Sequence, residues 1–276
     1  MRRASFVFGL AVFTLGLVVA TASAGGSGIT MVKKTTTNTN MGPSTRTAEC
    51  PTSDHVLGGG FSAPDGSIAQ QTMPVGSSGW KAETLSSPGD SSAYALCEQA
   101  SLRVVKTVSN SVTVPASGGS TTERAVVATC PNGWQVISGG YAVVPPFSSG
   151  SDGEIAVDTS MRTSTRTWKV HGGNDGTPTD LKAYAMCEKK DTSQIQQMSR
   201  TRPVTSPTPV VTMARCPKGS HVVGGGFQIK PDESGGSFPV VNMSRPRDSQ
   251  RWKTRLGFPS QSSSSSLTSF AECESG

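Results

Sequence analysis

The stretch Cys50-Pro51-Thr52-Ser53-Asp54-His55-Val56-Leu57-Gly58-Gly59-Gly60-Phe61 decides the fold, because the chain repeats it twice with few changes. The further copies are Cys130-Pro131-Asn132-Gly133-Trp134-Gln135-Val136-Ile137-Ser138-Gly139-Gly140-Tyr141 and Cys216-Pro217-Lys218-Gly219-Ser220-His221-Val222-Val223-Gly224-Gly225-Gly226-Phe227. Each copy later supplies a tryptophan (Trp80, Trp168, Trp252) and ends on a small-aromatic-small-x-Cys run at residues 93–97, 183–187 and 269–273. Features shared by all three copies are best interpreted as scaffold, because a catalytic site needs one asymmetric set of groups. A period of about 80 residues predicts stacked or symmetrically arranged modules.

The pattern inside each copy is that of β structure. Short runs rich in Val, Thr, Tyr, Phe and Trp alternate with clusters of Gly, Pro, Ser and Asp. In the second copy this predicts strands near residues 102–108, 124–130, 134–143, 154–160, 166–171 and 181–188. No stretch after residue 24 shows a capped apolar period of 3.6 residues. The sequence therefore predicts an all-β protein of three homologous six-stranded modules in pseudo-threefold arrangement, over residues 25–100, 101–190 and 191–276.

The glycine triplet needs a physical reason, since glycine weakens the interior of a strand. It usually marks a bulge, a bend or a close backbone approach. Three bends at equivalent places are expected where strands crowd around a shared pseudo-threefold axis. A phosphate-binding loop is the functional alternative, but it requires a helix directly after the glycines. Here an aromatic residue and another strand-like run follow, which favours the structural interpretation.

Six cysteines in a chain with a secretory leader predict a disulfide framework. Two patterns respect the repeat. Either each copy closes on itself (Cys50–Cys97, Cys130–Cys187, Cys216–Cys273), or the copies link in a ring (Cys97–Cys130, Cys187–Cys216, Cys273–Cys50). Closure within a copy is favoured, because every copy then becomes a self-contained unit. Zinc is disfavoured, since the sequence has no C-x2-C pair and only three histidines.

Residues 1–24 have the features of a secretory signal peptide. Arg2 and Arg3 precede an apolar run, and Ala22-Ser23-Ala24 is a small-residue cleavage site. The apolar run is shorter than the roughly 20 residues that a spanning helix needs. We expect cleavage after Ala24 and a secreted protein without a transmembrane anchor.

The order of these motifs resembles repeats of uncharacterised secreted bacterial proteins, particularly of actinobacterial type. Those repeats carry Cys-Pro-x-Gly, Val-x-Gly-Gly-Gly, a mid-unit Trp and a closing Ala-Tyr-Ala-x-Cys. More distantly, the unit resembles the modules of the cysteine-rich C-terminal domain of secreted proprotein convertases, where three six-stranded units pack with quasi-threefold symmetry. Those modules have six cysteines each, whereas this chain has two per unit. The resemblance implies the fold and only a binding role.

Candidate catalytic residues are few. His55 and His221 occupy the same repeat position, which Gln135 fills in the second copy, so a structural role is expected for both. His171, with Asp158, Asp175 and Asp180 in the same unit, is the single asymmetric candidate for a general base. The compact acidic group Asp152-Gly153-Glu154 with Asp158 is interpreted as a solvated loop in preference to a metal site. Trp134, which no other copy matches, is either extra packing or an exposed platform for a sugar or base, with packing favoured.

Charge is the one asymmetry that suggests a function. The three units carry net charges of −2, +2 and +4. The excess in the third unit comes largely from arginine: Arg200, Arg202, Arg245, Arg247, Arg251 and Arg255. Guanidinium groups suit sulfate, phosphate and carboxylate, so these arginines form either an ordinary solvated surface, which is favoured, or an anion-binding surface.

These observations predict a non-enzymatic secreted protein without cofactor or metal. It would bind an anionic cell-wall polymer or glycan, with nucleic acid as a disfavoured partner, or have a structural role outside the cell. The alternatives are a small secreted hydrolase centred on His171 and a protein-partner or inhibitor module.

Overall fold

The computed structural model describes residues 28–116, 122–146, 155–174, 176–189, 194–204, 209–230, 240–258 and 265–275. These residues form 18 β-strands and no helix, which confirms the all-β prediction. The expected signal peptide, Asp175 and the acidic group at residues 152–154 lie outside the described residues.

Each copy of the repeat contributes six strands. The first copy forms β1 (Thr30–Asn38), β2 (Gly42–Glu49), β3 (Asp54–Ser62), β4 (Ile68–Val75), β5 (Gly79–Ser86) and β6 (Gly89–Gln99). The second forms β7 (Val105–Val114), β8 (Thr122–Thr129), β9 (Trp134–Val144), β10 (Ile155–Arg162), β11 (Thr167–Asn174) and β12 (Thr179–Lys189). The third forms β13 (Ile195–Val204), β14 (Val210–Arg215), β15 (Ser220–Lys230), β16 (Val240–Asp248), β17 (Arg251–Phe258) and β18 (Ser265–Ser275).

All six strands predicted for the second copy are present, and the largest error is at β7. The prediction placed this strand at residues 102–108, whereas it runs from Val105 to Val114. Its second half contains Ser109-Asn110-Ser111, which carries no apolar pattern, yet it pairs with β12 along its whole length. An edge strand that is largely solvated needs few apolar residues, so the pattern could not locate its end.

The sheets do not coincide with the copies. Each six-stranded antiparallel sheet joins three strands of one copy to three strands of another, and the orders are β1-β6-β3-β16-β17-β14, β2-β5-β4-β9-β12-β7 and β13-β18-β15-β10-β11-β8. The copies are connected by the short pairings β3–β16, β4–β9 and β10–β15, each of two residue pairs. The three copies therefore close a ring of shared sheets, and no copy has a complete sheet of its own, which the interpretation as self-contained units did not anticipate.

The disulfides follow the intra-copy pattern. Cys50–Cys97, Cys130–Cys187 and Cys216–Cys273 have Cα–Cα distances of 5.6, 5.7 and 5.5 Å, and the described residues contain no free cysteine. Each bond tethers the turn before β3, β9 or β15 to the last strand of the same copy. Closing loops of 47, 57 and 57 residues stabilises the fold by roughly 4 kcal/mol per bond in the chain-entropy model.

The first residue of the glycine triplet lies where the three copies meet. A Cβ on Gly58 would lie 2.4 Å from the Val223 carbonyl oxygen and 2.6 Å from Ser138 Oγ, and one on Gly224 would lie 2.6 Å from the Ile137 carbonyl oxygen. Each contact joins residues of different copies at the same repeat position or beside it. This confirms the predicted crowding around a pseudo-threefold axis, and the serine of the second copy is the largest side chain found at these positions.

The other two glycines make room for different neighbours. A Cβ on Gly59, Gly139 or Gly225 would lie 2.3–2.4 Å from the indole ring of the tryptophan of its own copy. A Cβ on Gly60, Gly140 or Gly226 would lie 2.0–2.1 Å from a backbone carbonyl of the strand with which a neighbouring copy joins the sheet. The three glycine positions therefore allow, in order, close approach of the copies at the axis, packing of the tryptophan ring, and pairing of strands between copies.

Candidate functional site

The positive surface of the third copy is built on β17 and its neighbours. Trp252, Thr254 and Leu256 are buried, so the alternation of a β-strand places Arg251, Lys253 and Arg255 on the opposite, outward face. Pairing with β14 and β16 extends this face, which we call the basic face. It comprises Val211, Met213 and Arg215 on β14, Arg251, Lys253 and Arg255 on β17, and Met243, Arg245 and Arg247 on β16.

The charges on the basic face are close enough to influence one another. The pKa of Lys253 is lowered first by burial and then by Arg245, Arg247 and Arg255. Arg247 Nη1 lies 4.0 Å from Met213 Sδ, across β17. Four of the six predicted arginines, Arg245, Arg247, Arg251 and Arg255, therefore lie on one surface.

Two carboxylates neutralise part of this charge. Asp248 accepts a hydrogen bond from Arg251 Nε at 2.7 Å, and Asp65 Oδ2 lies 2.6 Å from Arg255 Nη2. No carboxylate of the described residues forms an ion pair with the other cations of this region: Arg200, Arg202, Arg215, Arg245, Arg247 and Lys253. The basic face keeps an excess of positive charge.

Arg200 and Arg202 lie on β13, the edge strand of the adjacent sheet. Arg202 Nη1 donates to the Val211 carbonyl at 3.1 Å, and Thr212 Oγ1 donates to the Arg200 carbonyl at 3.0 Å. Between β13 and β14 an open groove of about 490 Å³ is lined by Ser199, Arg200, Arg202, Val211, Thr212, Met213 and Arg215. Because Val211, Met213 and Arg215 also belong to the basic face, all six predicted arginines border one continuous surface.

Sequence reasoning missed Arg215 and Lys253. Lys253 follows a tryptophan as Lys81 and Lys169 do in the other copies, so the repeat gives it no special role, and Arg215 stands apart from the other arginines in the sequence, directly before an opening cysteine. Only the strand pairing shows that they share a surface with the other cations.

Comparison at equivalent repeat positions isolates what is particular to the third copy. The reference point is the hydroxyl that accepts the indole N–H of the tryptophan: Thr72, Ser160 and Ser244. Counted from this hydroxyl residue, Arg245 and Arg247 correspond to Met73 and Val75 of the first copy. Counted from the tryptophan, Arg255 corresponds to Glu83. Counted from the opening cysteine, Arg215 corresponds to Glu49. The same positions of the second copy hold Thr129, Met161, Thr163 and His171. Neither of the other copies has an arginine or lysine at any of these four positions.

Arg245 of the third copy also contacts an aromatic ring of the first copy. Its guanidinium lies 4.8 Å from the ring centre of Tyr94, and Lys33 Nζ lies 5.9 Å from the same ring. Tyr94 is buried, so part of the role of Arg245 is to cover an aromatic ring at the junction of β3 and β16.

The axis carries a second charged cluster, which we call the axial cluster. Arg103, between β6 and β7, donates to Glu98, to Glu188 Oε2 at 2.8 Å and to Glu274 Oε2 at 2.7 Å. The three glutamates each follow a closing cysteine, so one arginine binds the same residue of all three copies. Burial alone would lower the pKa of Arg103, but its hydrogen bonds to Glu98 and Glu274 raise it above the ordinary value.

His55 and His221 belong to the surroundings of this cluster. His221 Nε2 lies 2.9 Å from Glu274 Oε2, and Gln135 Nε2 donates to Glu188 Oε1 at 2.6 Å. His55 is opposite Glu98 in the strand pairing, and burial lowers its pKa. The repeated His/Gln/His position thus packs against the repeated glutamate, which fits the structural role expected for both histidines.

His171, the candidate general base, forms a pair with Asp158. Its Nδ1 lies 2.7 Å from Asp158 Oδ2, its Nε2 lies 3.9 Å from Glu123 Oε2, and the hydrogen bond to Asp158 raises its pKa. No hydroxyl of the described residues hydrogen-bonds to the imidazole. The pair also occupies repeat positions: His171 corresponds to Glu83 and Arg255, and Asp158 lies at the bulge where the other copies have Gln70 and Asn242.

The remaining candidates have ordinary surroundings. Trp134 is partly buried and packs against the core, as the packing interpretation predicts. Asp180 accepts a hydrogen bond from Thr113 at 2.6 Å. Within the described ranges, no group of three or more His, Cys, Asp or Glu side chains could hold a metal ion, and no helix is long and apolar enough to cross a membrane.

The fold and these sites define a class: an all-β protein of three repeated, disulfide-bonded units that share their sheets around a pseudo-threefold axis. Comparison of the sequence with protein-family models and with curated proteins gave no match. Three disulfides are typical of an oxidising environment such as the cell exterior.

Proposed function

We propose that this protein is a secreted, non-enzymatic binding protein whose basic face holds an anionic polymer outside the cell. The observation that carries the proposal is the confinement of Arg215, Arg245, Arg247 and Arg255 to one copy of a scaffold that is otherwise repeated. The tryptophans, cysteines and glycines on which the fold depends recur in the copies, whereas these four arginines do not, although Arg245 also packs over the ring of Tyr94. Positive charge that the other two copies lack at these positions is what a binding surface would add.

The chemistry of the surface fits a polymer better than a small anion. The unpaired cations lie on three strands and along a groove, so no single small ligand could contact all of them. Exposed cations act together on a chain of negative charges, and the attraction is screened by salt within about 10 Å at 0.1 M ionic strength. Secretion through residues 1–24, with cleavage after Ala24, would place the protein where such polymers occur.

Catalysis has weaker support. The Asp158–His171 pair has the geometry of a general base and its orienting carboxylate, but no hydroxyl of the described residues hydrogen-bonds to the imidazole. A hydrolase centred on His171 remains the alternative, and turnover that disappears in His171→Ala would establish it.

The test is binding of the protein, residues 25–276, to purified cell envelope across a salt series. The triple variant Arg247→Ser, Arg251→Ser, Lys253→Ser removes three charges from the basic face. The matched control Lys106→Ser, Lys169→Ser, Lys182→Ser removes three charges from the second copy. We expect binding that weakens steeply with salt, is lost in the first variant and is retained in the control. Equal binding by both variants, or no binding by the unmodified protein at any salt concentration, would refute the proposal.

A further inference from the structure

The groove between β13 and β14 has a lining that suits one kind of polymer. Arg200, Arg202 and Arg215 are exposed and supply guanidinium groups, while Val211 and Met213 form an apolar part of the wall. No carboxylate is among the lining residues. The groove therefore offers planar donors for anionic groups beside a surface for non-polar C–H groups.

The lining also argues against nucleic acid. Proteins that bind single strands combine positive grooves with aromatic side chains on which the bases stack. The residues that line this groove include no aromatic ring, and Tyr94, the ring that Arg245 of the basic face contacts, is buried. A chain that joins its anionic groups through sugars, whose faces carry C–H groups, matches the groove better.

The arrangement of charges indicates an extended ligand. Arg200 and Arg202 are two residues apart on one strand, so their side chains leave it about 7 Å from each other. The groove opens onto the basic face through Met213, which contacts Arg247, and Lys253 is paired with Met213 in the sheet. A chain lying in the groove would therefore continue over β14 and β17.

We propose that the groove between β13 and β14 is the primary binding site for a linear acidic polysaccharide, whose carboxylate or sulfate groups bind Arg200, Arg202 and Arg215. The basic face beyond Met213 binds the continuation of the same chain. This inference rests on the proposed function and adds the class of ligand, the residues that bind it first and a dependence on chain length.

The other copies show that arginines at the positions of Arg200 and Arg202 are not a requirement of the fold. The strands β1, β7 and β13 each pair with the strand of their own copy that carries the closing cysteine, so their residues can be aligned by this register. In the alignment, Lys34 and Asn110 correspond to Arg200, and Thr36 and Val112 correspond to Arg202. In the second copy, Asn110 Nδ2 instead donates to the Val127 carbonyl, at 3.1 Å. A basic residue at the position of Arg202 is therefore found in the third copy alone, whereas the position of Arg200 is also basic in the first copy, as Lys34.

Titration calorimetry with oligogalacturonates of about 4 and about 12 units, and with sulfated and uncharged dextran, tests the inference. The groove variant is Arg200→Ser, Arg202→Ser, Arg215→Ser, and the face variant is Arg247→Ser, Arg251→Ser, Lys253→Ser. We expect the groove variant to lose roughly tenfold or more in affinity for both chain lengths, because charge-assisted hydrogen bonds are removed. The face variant should lose affinity for the long chain alone, and uncharged dextran should not bind. The relative affinities for oligogalacturonate and sulfated dextran distinguish carboxylate from sulfate as the preferred group.

The outcomes separate this inference from the proposed function. If the groove variant binds like the unmodified protein while the face variant loses both chains, the groove is not the site although the protein binds polyanions. Tighter binding of poly(dT) than of either acidic polysaccharide at equal salt would overturn the class of ligand. Failure of the unmodified protein to bind any of these polyanions would refute the proposed function itself.

Discussion

The outward face of β14, β17 and β16 in the third copy and that of β2, β5 and β4 in the first copy have the same framework and opposite chemistry. On both, a buried tryptophan donates its indole N–H to a hydroxyl on the neighbouring strand, at 2.9 Å. Around that shared pair, the third copy has Arg215, Arg245, Arg247 and Arg255, and the first has Glu49, Met73, Val75 and Glu83. The repeat preserves the side chains that pack and leaves those that face outward free to change. The residues confined to one copy are therefore where function is to be sought.

Arg103 is also confined to one copy, but its contacts indicate a structural role, and its substitution should have the largest effect on stability. It occurs once, yet it donates hydrogen bonds to three buried glutamates of the axial cluster, one from each copy. Arg103→Met should lower the free energy of unfolding by about 3–5 kcal/mol, since breaking a buried ion pair leaves charges uncompensated. Urea denaturation at pH 7 would measure the loss. Arg215→Met, which removes an exposed arginine, should change stability by less than about 0.5 kcal/mol, and equal effects of the two substitutions would contradict the assigned roles.

Substituting glycine by alanine at a crowded position and at an open position compares the two sites with the same chemical change. In Gly139→Ala the new methyl would meet the Trp168 ring and a backbone carbonyl, so we expect a loss of about 3 kcal/mol from overpacking. Gly42→Ala is the matched control, because nothing lies within 4 Å of its Cβ position and its φ is not positive. Thermal unfolding of both variants checks the prediction. A loss for Gly139→Ala no greater than that for Gly42→Ala would mean that the repeated glycine has no packing role.

Substitution of His171 tests whether a position that holds a different residue in each copy also contributes to the free energy of unfolding. Its pKa is raised in the folded protein by Asp158, so the stabilisation is complete below the unfolded value of about 6.5 and disappears as pH rises through the folded value. His171→Gln should therefore cost more at pH 6 than at pH 9, with a difference on the order of 1 kcal/mol. Denaturation curves at the two pH values measure it. A cost that is independent of pH would show that the imidazolium–Asp158 pair does not stabilise the fold.

The sequence was informative where the repeat enforced a pattern. Three copies of one motif were enough to predict the all-β class, the six strands per unit, the intra-copy disulfides and the crowding at the glycines. It could not show that β3 pairs with β16 of another copy, because two residue pairs leave no periodic signal. For the same reason the axial cluster was missed: Glu98, Glu188 and Glu274 recur in the sequence, but only the fold brings them to Arg103.

The candidate site was predicted in part. The bias of the third unit toward arginine identified six residues, yet the pattern gave no means of locating them relative to one another. Strand pairing places four on one face and adds Lys253, while the groove brings in Arg200, Arg202 and Arg215. The sequence spacing does not show which distant strands pair, so the relative positions of these arginines could not be predicted from it.

The most direct test exchanges the arginines of the third copy for the residues that the second copy carries at the same positions. Arg215→Thr, Arg245→Met and Arg247→Thr reproduce Thr129, Met161 and Thr163, which the repeated framework already accommodates. The measurement is binding of this triple variant and of the unmodified protein to an acidic polysaccharide at low salt, with thermal unfolding of both. We predict an unfolding temperature within a few degrees of the original and an affinity for a long acidic polysaccharide that is lowered roughly tenfold, because charge-assisted hydrogen bonds of both the groove and the basic face are removed. A stable variant that binds the polymer as tightly as the unmodified protein would contradict the assignment of function to these arginines.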